Sequence, residues 1–277
     1  DDGDVSKLFD HIAGIATVSE LIGVPLITGS TLRIGGDMVI GDRLTGCVGA
    51  VGVSDNLTAR KSARPGDVIM MTEGAGGGTI CSAALYYNRH EVVDETLNIK
   101  FLEASEALLK VNARIHAMTD VTNGGIRGDA KEISYTAGVR LVFEEERMRK
   151  LVNPRVLEML NELKIDYLGV SIDALLIIAP PEEAEAIAAA IRDVGVKVDE
   201  IGRVEEGEGA YLDIEGKRSD FSPRFREAAY TPIKKAIGQE AVRDVAEMTR
   251  KVDLAAQNAV QKKKRFVERI RGGQKGF

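Results

Sequence analysis

Ala117-Met118-Thr119-Asp120-Val121-Thr122-Asn123-Gly124-Gly125-Ile126-Arg127-Gly128-Asp129 is the stretch on which the reading of this chain turns. It reads as a short apolar strand that ends in an acid, turns on Gly124 and Gly125, and enters a helix. That layout sets one carboxylate, Asp120, beside several free backbone N–H groups. A hard cation takes oxygen ligands and a phosphate takes N–H donors, so the stretch suits a metal–phosphate ligand. It equally suits an Asx-type turn that caps a helix. The stretch alone does not choose between the two.

The bulk numbers narrow the field. At 277 residues the chain fits one large domain or two ordinary ones. Hydrophobic residues make up 44% and charged residues 29%, the balance of a water-soluble globular protein. With no Trp and 5% aromatics the core must be mostly aliphatic, and a surface that stacks on bases is disfavoured. The net charge of -6 provides no overall basic field toward nucleic acid or membrane. Cys47 and Cys81 have no C-x-x-C partner, which excludes a zinc knuckle or a thioredoxin-like pair. Their small, apolar neighbours suggest buried, inert thiols. No signal peptide and no membrane-length apolar run is seen, so a cytoplasmic protein without a membrane partner is expected.

Periodicity lays out the rest. Residues 4–24 read as a helix, 25–29 as a strand, 30–36 as a loop, and 38–41 and 44–53 as strands, the last rich in Gly and Val. Strands follow at 67–72, before Asp120, and at 138–144, 171–179, 196–204 and 210–214. Helices are expected at 79–87, 99–111, 154–163, 180–194 and 239–270. Alternating strands and helices give an α/β or α+β class. Lys262-Lys263-Lys264-Arg265 makes the tail basic. A solvated terminal helix accounts for it better than a nucleic-acid patch does.

A second strand–glycine loop–helix unit runs from Asp67 through Glu73-Gly74-Ala75-Gly76-Gly77-Gly78-Thr79. Glycines let backbone approach a ligand, and the following helix N-terminus favours an anion. No Lys follows them, so this is not a Walker loop, and the spacing is not a dinucleotide fingerprint. Two such units about forty residues apart have room to converge on one site. Other polar groups divide less sharply. His116 reads as a strand-end histidine or a general base, with His11 and His90 structural. Lys61 and Arg64 read as surface charges or phosphate partners, and Asp37 and Asp42 as hairpin residues or stand-in acids.

The order of these features resembles the aminoimidazole ribonucleotide synthetase superfamily, which includes selenophosphate synthetase, thiamine monophosphate kinase, formylglycinamide ribonucleotide synthetase and the hydrogenase-maturation dehydratase. The resemblance is carried by Gly23-Val24-Pro25-Leu26-Ile27-Thr28-Gly29-Ser30-Thr31, Ala63-Arg64-Pro65-Gly66-Asp67, the Glu73–Thr79 loop, the Thr119–Asp129 stretch and Gly202-Arg203-Val204. It implies two domains: one whose strands form a barrel across a homodimer, and a C-terminal α/β sandwich. On this chain that places the second half of the first domain at 1–62, the second at 63–237, and a basic helical extension at 238–277. It also implies ATP and Mg²⁺ in a cleft, and phosphoryl transfer to, or activation of, a small amide, carboxylate or phosphate substrate. Carried over residue by residue, Asp120 is the metal ligand. Ser30, Thr31, Gly76, Gly77, Gly78, Thr79, Thr122, Asn123 and Arg127 lie around the phosphates. Relatives also carry an acidic Gly-Asp-Asp segment near their N-terminus, which is absent from these residues, and no acid stands at the Ser30 position. A non-catalytic nucleotide-binding or scaffold paralogue is therefore the alternative.

Overall fold

The apolar runs Val68-Ile69-Met70-Met71 and Leu175-Leu176-Ile177-Ile178 lie side by side within a seven-stranded sheet. The computed structural model describes residues 5–30, 46–121, 123–224 and 244–271. In chain order the elements begin with α1 (Val5–Ile22), β1 (Val68–Thr72), α2 (Gly78–Tyr86), α3 (His90–Thr96), α4 (Lys100–Lys110) and β2 (Ala117–Asp120). Next come α5 (Gly125–Ala137), β3 (Val139–Glu144), α6 (Glu145–Leu151), α7 (Pro154–Glu162), β4 (Leu175–Ala179) and α8 (Ala184–Asp193). The last are β5 (Val198–Glu206), β6 (Gly209–Ile214), β7 (Lys217–Asp220) and a long helix, α9 (Val245–Arg271).

The strand order is β2-β4-β1-β5-β3-β6-β7. Every neighbouring pair is antiparallel except β3 with β6. Side chains of a strand point alternately to opposite faces, and here both faces are covered. Ile69, Met71, Leu176 and Ile178 enter a core with Ile80 of α2, Ile126 and Ile133 of α5, Met148 of α6 and Met159 of α7. Val68, Met70, Leu175 and Ile177 enter a second core with Ala104 and Leu108 of α4 and Ile187 and Ile191 of α8. Burial on both sides is why β1 and β4 read as unbroken apolar runs. A large side chain fully buried here contributes about 1.5–3 kcal/mol relative to exposure. The whole is a layered α/β sandwich.

Several expectations need correcting. Residues 25–29 and 46–53 are not strands: they are exposed and hydrogen-bond to no neighbouring strand among the described residues. A strand without a partner has no ladder to form. The strand expected at 171–179 begins at Leu175, leaving Ser171–Ala174 as a loop. Cys47 is exposed and Cys81 half-buried, so neither is a fully buried thiol. The described side chains of α1 are mostly exposed, including Phe9 and Leu21. The expected strand at 38–41 lies outside the described residues.

Candidate phosphate and metal site

The glycine loop is held from both sides. Gly74 N donates to Leu151 O at 3.0 Å, Gly74 O accepts from Asn153 N at 2.8 Å, and Gly76 N donates to Ile172 O at 2.8 Å. Gly76 has φ of 78°, and a Cβ there would stand 2.2 Å from the Ile80 side chain, so only glycine fits. The loop then becomes the N-terminus of α2. Its N-cap is Gly77, no side chain caps it, and no acid stands in its first turn. The first N–H groups of this helix are therefore open to an anion.

Asp120 ends β2 opposite Leu175 and is exposed. Val121 N donates to Ala174 O at 2.8 Å, Asp173 N donates to Val121 O at 3.3 Å, and Ser171 Oγ donates to the same carbonyl at 3.1 Å. The chain next turns through Gly124 (φ 94°) and Gly125 (φ 60°) into α5, which again begins without a side-chain cap or an acid in its first turn. A Cβ on Gly125 would meet Leu168 O at 2.4 Å, so α5 starts flush against the 168–170 backbone.

Asp173 joins the two units. Its φ of 55° is a left-handed backbone that a non-glycine residue adopts at a cost, a kind of strain concentrated at functional sites. A Cβ built on Gly77 would lie 3.5 Å from its carboxylate. Burial raises the Asp173 carboxyl above the usual carboxylate range, and the negative charge of Asp120 raises it further. The strand tip at Asp120, the 171–174 loop and the glycine loop therefore meet at one place. Asp173 was not among the candidates. The available signal was an acid standing directly before an apolar run, in Ser171-Ile172-Asp173-Ala174-Leu175-Leu176, with the polarity of Asp120 reversed along the chain.

The other candidates divide. Gly76, Gly77, Gly78 and Thr79 form the loop and first turn of α2, and Asn123 sits exposed in the turn after Asp120. Ser30 is exposed and, among the described residues, hydrogen-bonds to neither unit. Thr31 and Thr122 lie outside the described residues. Arg127 lies one turn into α5. It is buried, its Nε donates to Asp166 at 2.9 Å, and its guanidinium lies 4.7 Å from the centre of the Phe221 ring. These contacts support the joint between α5, the 166–169 turn and Phe221. His116 is a strand-end residue whose Nδ1 sits 2.9 Å from Asp67 Oδ2, the oxygen that also accepts from Arg64 N at 2.8 Å. The pair pins the Arg64-Pro65-Gly66-Asp67 turn.

Behind Asp120 lies an ionic network. Arg60 Nη2 donates to Thr119 Oγ1 at 2.7 Å and to Asp129 Oδ1 at 2.9 Å, and Nη1 pairs with Glu132. Asp129 is buried, and its Oδ2 has no hydrogen-bond partner among the described residues. Burial pushes the Asp129 carboxyl up to about 7; Arg60 opposes the shift, and Asp120 and Glu132 add to it.

Residues 64–215 match the family described as AIR synthase related protein, C-terminal domain. The chain belongs to that family. It is 53% identical to an uncharacterised protein of Methanocaldococcus jannaschii over its whole length, which is 61% of that protein. It is 26% identical to the thiamine-monophosphate kinase of Pyrococcus abyssi, over 76% of this chain and 64% of that enzyme. The chain thus spans under two thirds of these relatives' own length. In fold it is similar to the hydrogenase maturation protein HypE solved in complex with ATP, with a TM-score of 0.51, 21% identity, and coverage of 64% of this chain and 56% of that one. No helix among the described residues is long and apolar enough to cross a membrane.

Proposed function

We propose that this chain binds ATP with Mg²⁺ and transfers a phosphoryl group to, or activates, a small amide, carboxylate or phosphate substrate. The observation that carries this reading is the meeting of the Gly74–Gly78 loop, the Asp120 tip and the strained Asp173. Two uncapped helix N-termini, those of α2 and α5, open beside these acids. Phosphoryl transfer asks a protein chiefly for positioning and charge neutralisation, and these groups provide that chemistry. The ATP held by HypE, and the kinase activity named for the Pyrococcus relative, support the same reading.

The donors suit Mg²⁺, because Asp120 and Asp173 offer hard oxygens whose mutual repulsion a cation relieves. Among the described residues no three His, Cys, Asp or Glu side chains converge to hold a metal unaided. The share of the described residues is therefore one or two oxygens, with triphosphate and water among the groups that complete the shell. Bound there, Mg²⁺ would supply charge neutralisation for the triphosphate. Backbone N–H groups of Gly77 to Thr79, and those around Asn123, orient the phosphates. Ser30, Thr31 and Thr122 keep in this reading the phosphate-side places that the resemblance gave them.

The same shortage of acids among the described residues favours a second reading, a non-catalytic nucleotide-binding or scaffold paralogue. Titration of ATP with and without Mg²⁺, repeated on Asp120→Ala, tests the first part. Mg²⁺ should tighten ATP binding to the wild type, and the variant should lose about tenfold or more of that gain. A variant that keeps the full gain removes Asp120 from the metal. Phosphate or ADP release with a panel of amide and carboxylate metabolites then separates the enzyme from the paralogue.

A further inference from the structure

Arg60, in the connector before β1, reaches the back of the Asp120 tip with its side chain. Its guanidinium holds two partners on one nitrogen, Thr119 Oγ1 at 2.7 Å and Asp129 Oδ1 at 2.9 Å, and pairs with Glu132 through the other. Thr119 is the residue before Asp120 on β2, and Asp129 and Glu132 lie on α5. A single planar fork thus ties the strand carrying the acid to the helix that the acid introduces. Lysine does not reproduce this, because an ammonium is a point charge without a planar, bidentate face. The anchor is unusual: Asp129 is 6% exposed, and among the described residues only its Oδ1 is bonded. A buried carboxylate left without its cation is costly, so Arg60 and Asp129 each hold the other in place.

We propose that Arg60 is a positioning residue for the site: anchored by Asp129, it fixes Thr119 and through it the direction in which the Asp120 carboxylate faces. This rests on the reading of Asp120 as a metal ligand. Partners that orient a ligand are felt as metal affinity, typically at the level of tenfold to a hundredfold.

The test is calorimetric titration of ATP, with and without Mg²⁺, into the full-length protein and its Arg60→Met, Arg60→Lys and Asp129→Asn variants, each also combined with Asp120→Ala. Arg60→Met is expected to lose about tenfold of the Mg²⁺-dependent gain while affinity for ATP alone holds. Arg60→Lys should restore only part of it, and Asp129→Asn should act in the same direction by less. With Asp120→Ala in place, the Arg60 change should have no further effect. A purely structural Arg60 would lower ATP affinity equally with and without Mg²⁺, or would act equally in the Asp120→Ala background; either result overturns the inference. So does an Arg60→Lys variant with the full wild-type gain, which keeps the test decisive where Arg60→Met does not fold. A wild type that binds no ATP overturns the functional reading and this inference with it. A wild type that gains from Mg²⁺ beside unaffected Arg60 variants overturns this inference alone.

Discussion

Asp129 makes the stability of this molecule depend on pH in a way that runs against most carboxylates. An unfolded chain releases this proton near 3.8, whereas burial lets the folded chain hold it up to about 7. Between those values the folded state binds more protons than the unfolded one, so rising pH removes stability. The contribution is complete below about pH 4, declines from there to about pH 7, and is flat above. An asparagine side chain cannot titrate. The urea stability of Asp129→Asn should therefore gain on the wild type as pH is raised from about 4.5 to 7.5. Parallel profiles for the two proteins would show that the proton is not held. At this scale the sequence marked Asp120 and the glycine loop as candidates, because an acid before two glycines and a run of glycines after a strand are local signals. Asp173 was hidden, since its closeness to Gly77 depends on how β4 lies against the loop. The Arg127 bond to Asp166 was likewise hidden, because a position one turn into a helix does not say which neighbour the side chain meets.

β4 is the element on which both cores depend. Its Ile177 is fully buried against α4 and α8, and it pairs with Met70 of β1 on one side and Met118 of β2 on the other. Ile177→Ala should cost about 2–5 kcal/mol in urea unfolding, because the site is walled by strand and helix and collapses poorly. Ile214→Ala, on β6 and 49% exposed, should cost about 0.5 kcal/mol or less. Equal losses would mean that the two-sided burial does not carry the fold. The same burial made β1 and β4 easy to read, since an unbroken apolar run bounded by Gly or Pro has few other uses. β7 escaped because Lys217-Arg218-Ser219-Asp220 is exposed at every position and pairs only along the edge at β6. The 25–29 and 46–53 runs carry β-forming residues, but propensity reports a fit to a sheet surface and does not supply the neighbouring strand.

For the molecule as a whole, the apolar surface outside the sandwich is the notable quantity. Val51 and Val53 are fully exposed, and Val48 and Leu57 are largely so, in the stretch ahead of Arg60. Exposed apolar groups gathered in one stretch mark an association surface. Light scattering on the full-length protein should report a dimer or larger species, and Val51→Asp combined with Val53→Asp should shift it toward the monomer. A wild-type monomer would count against a dimer built through this stretch. The strand order has a further consequence, which concerns time. β1 leaves the ribosome well before its neighbours β4 and β5: Met70 pairs with Ile177 and with Glu200. At about 5–20 residues per second, the sticky Val68–Met71 run waits on the order of 5–20 s for its first partner. Contacts so distant along the chain also slow folding itself. The segment that later seats the glycine loop is thus, during synthesis, an exposed apolar run that a chaperone would cover.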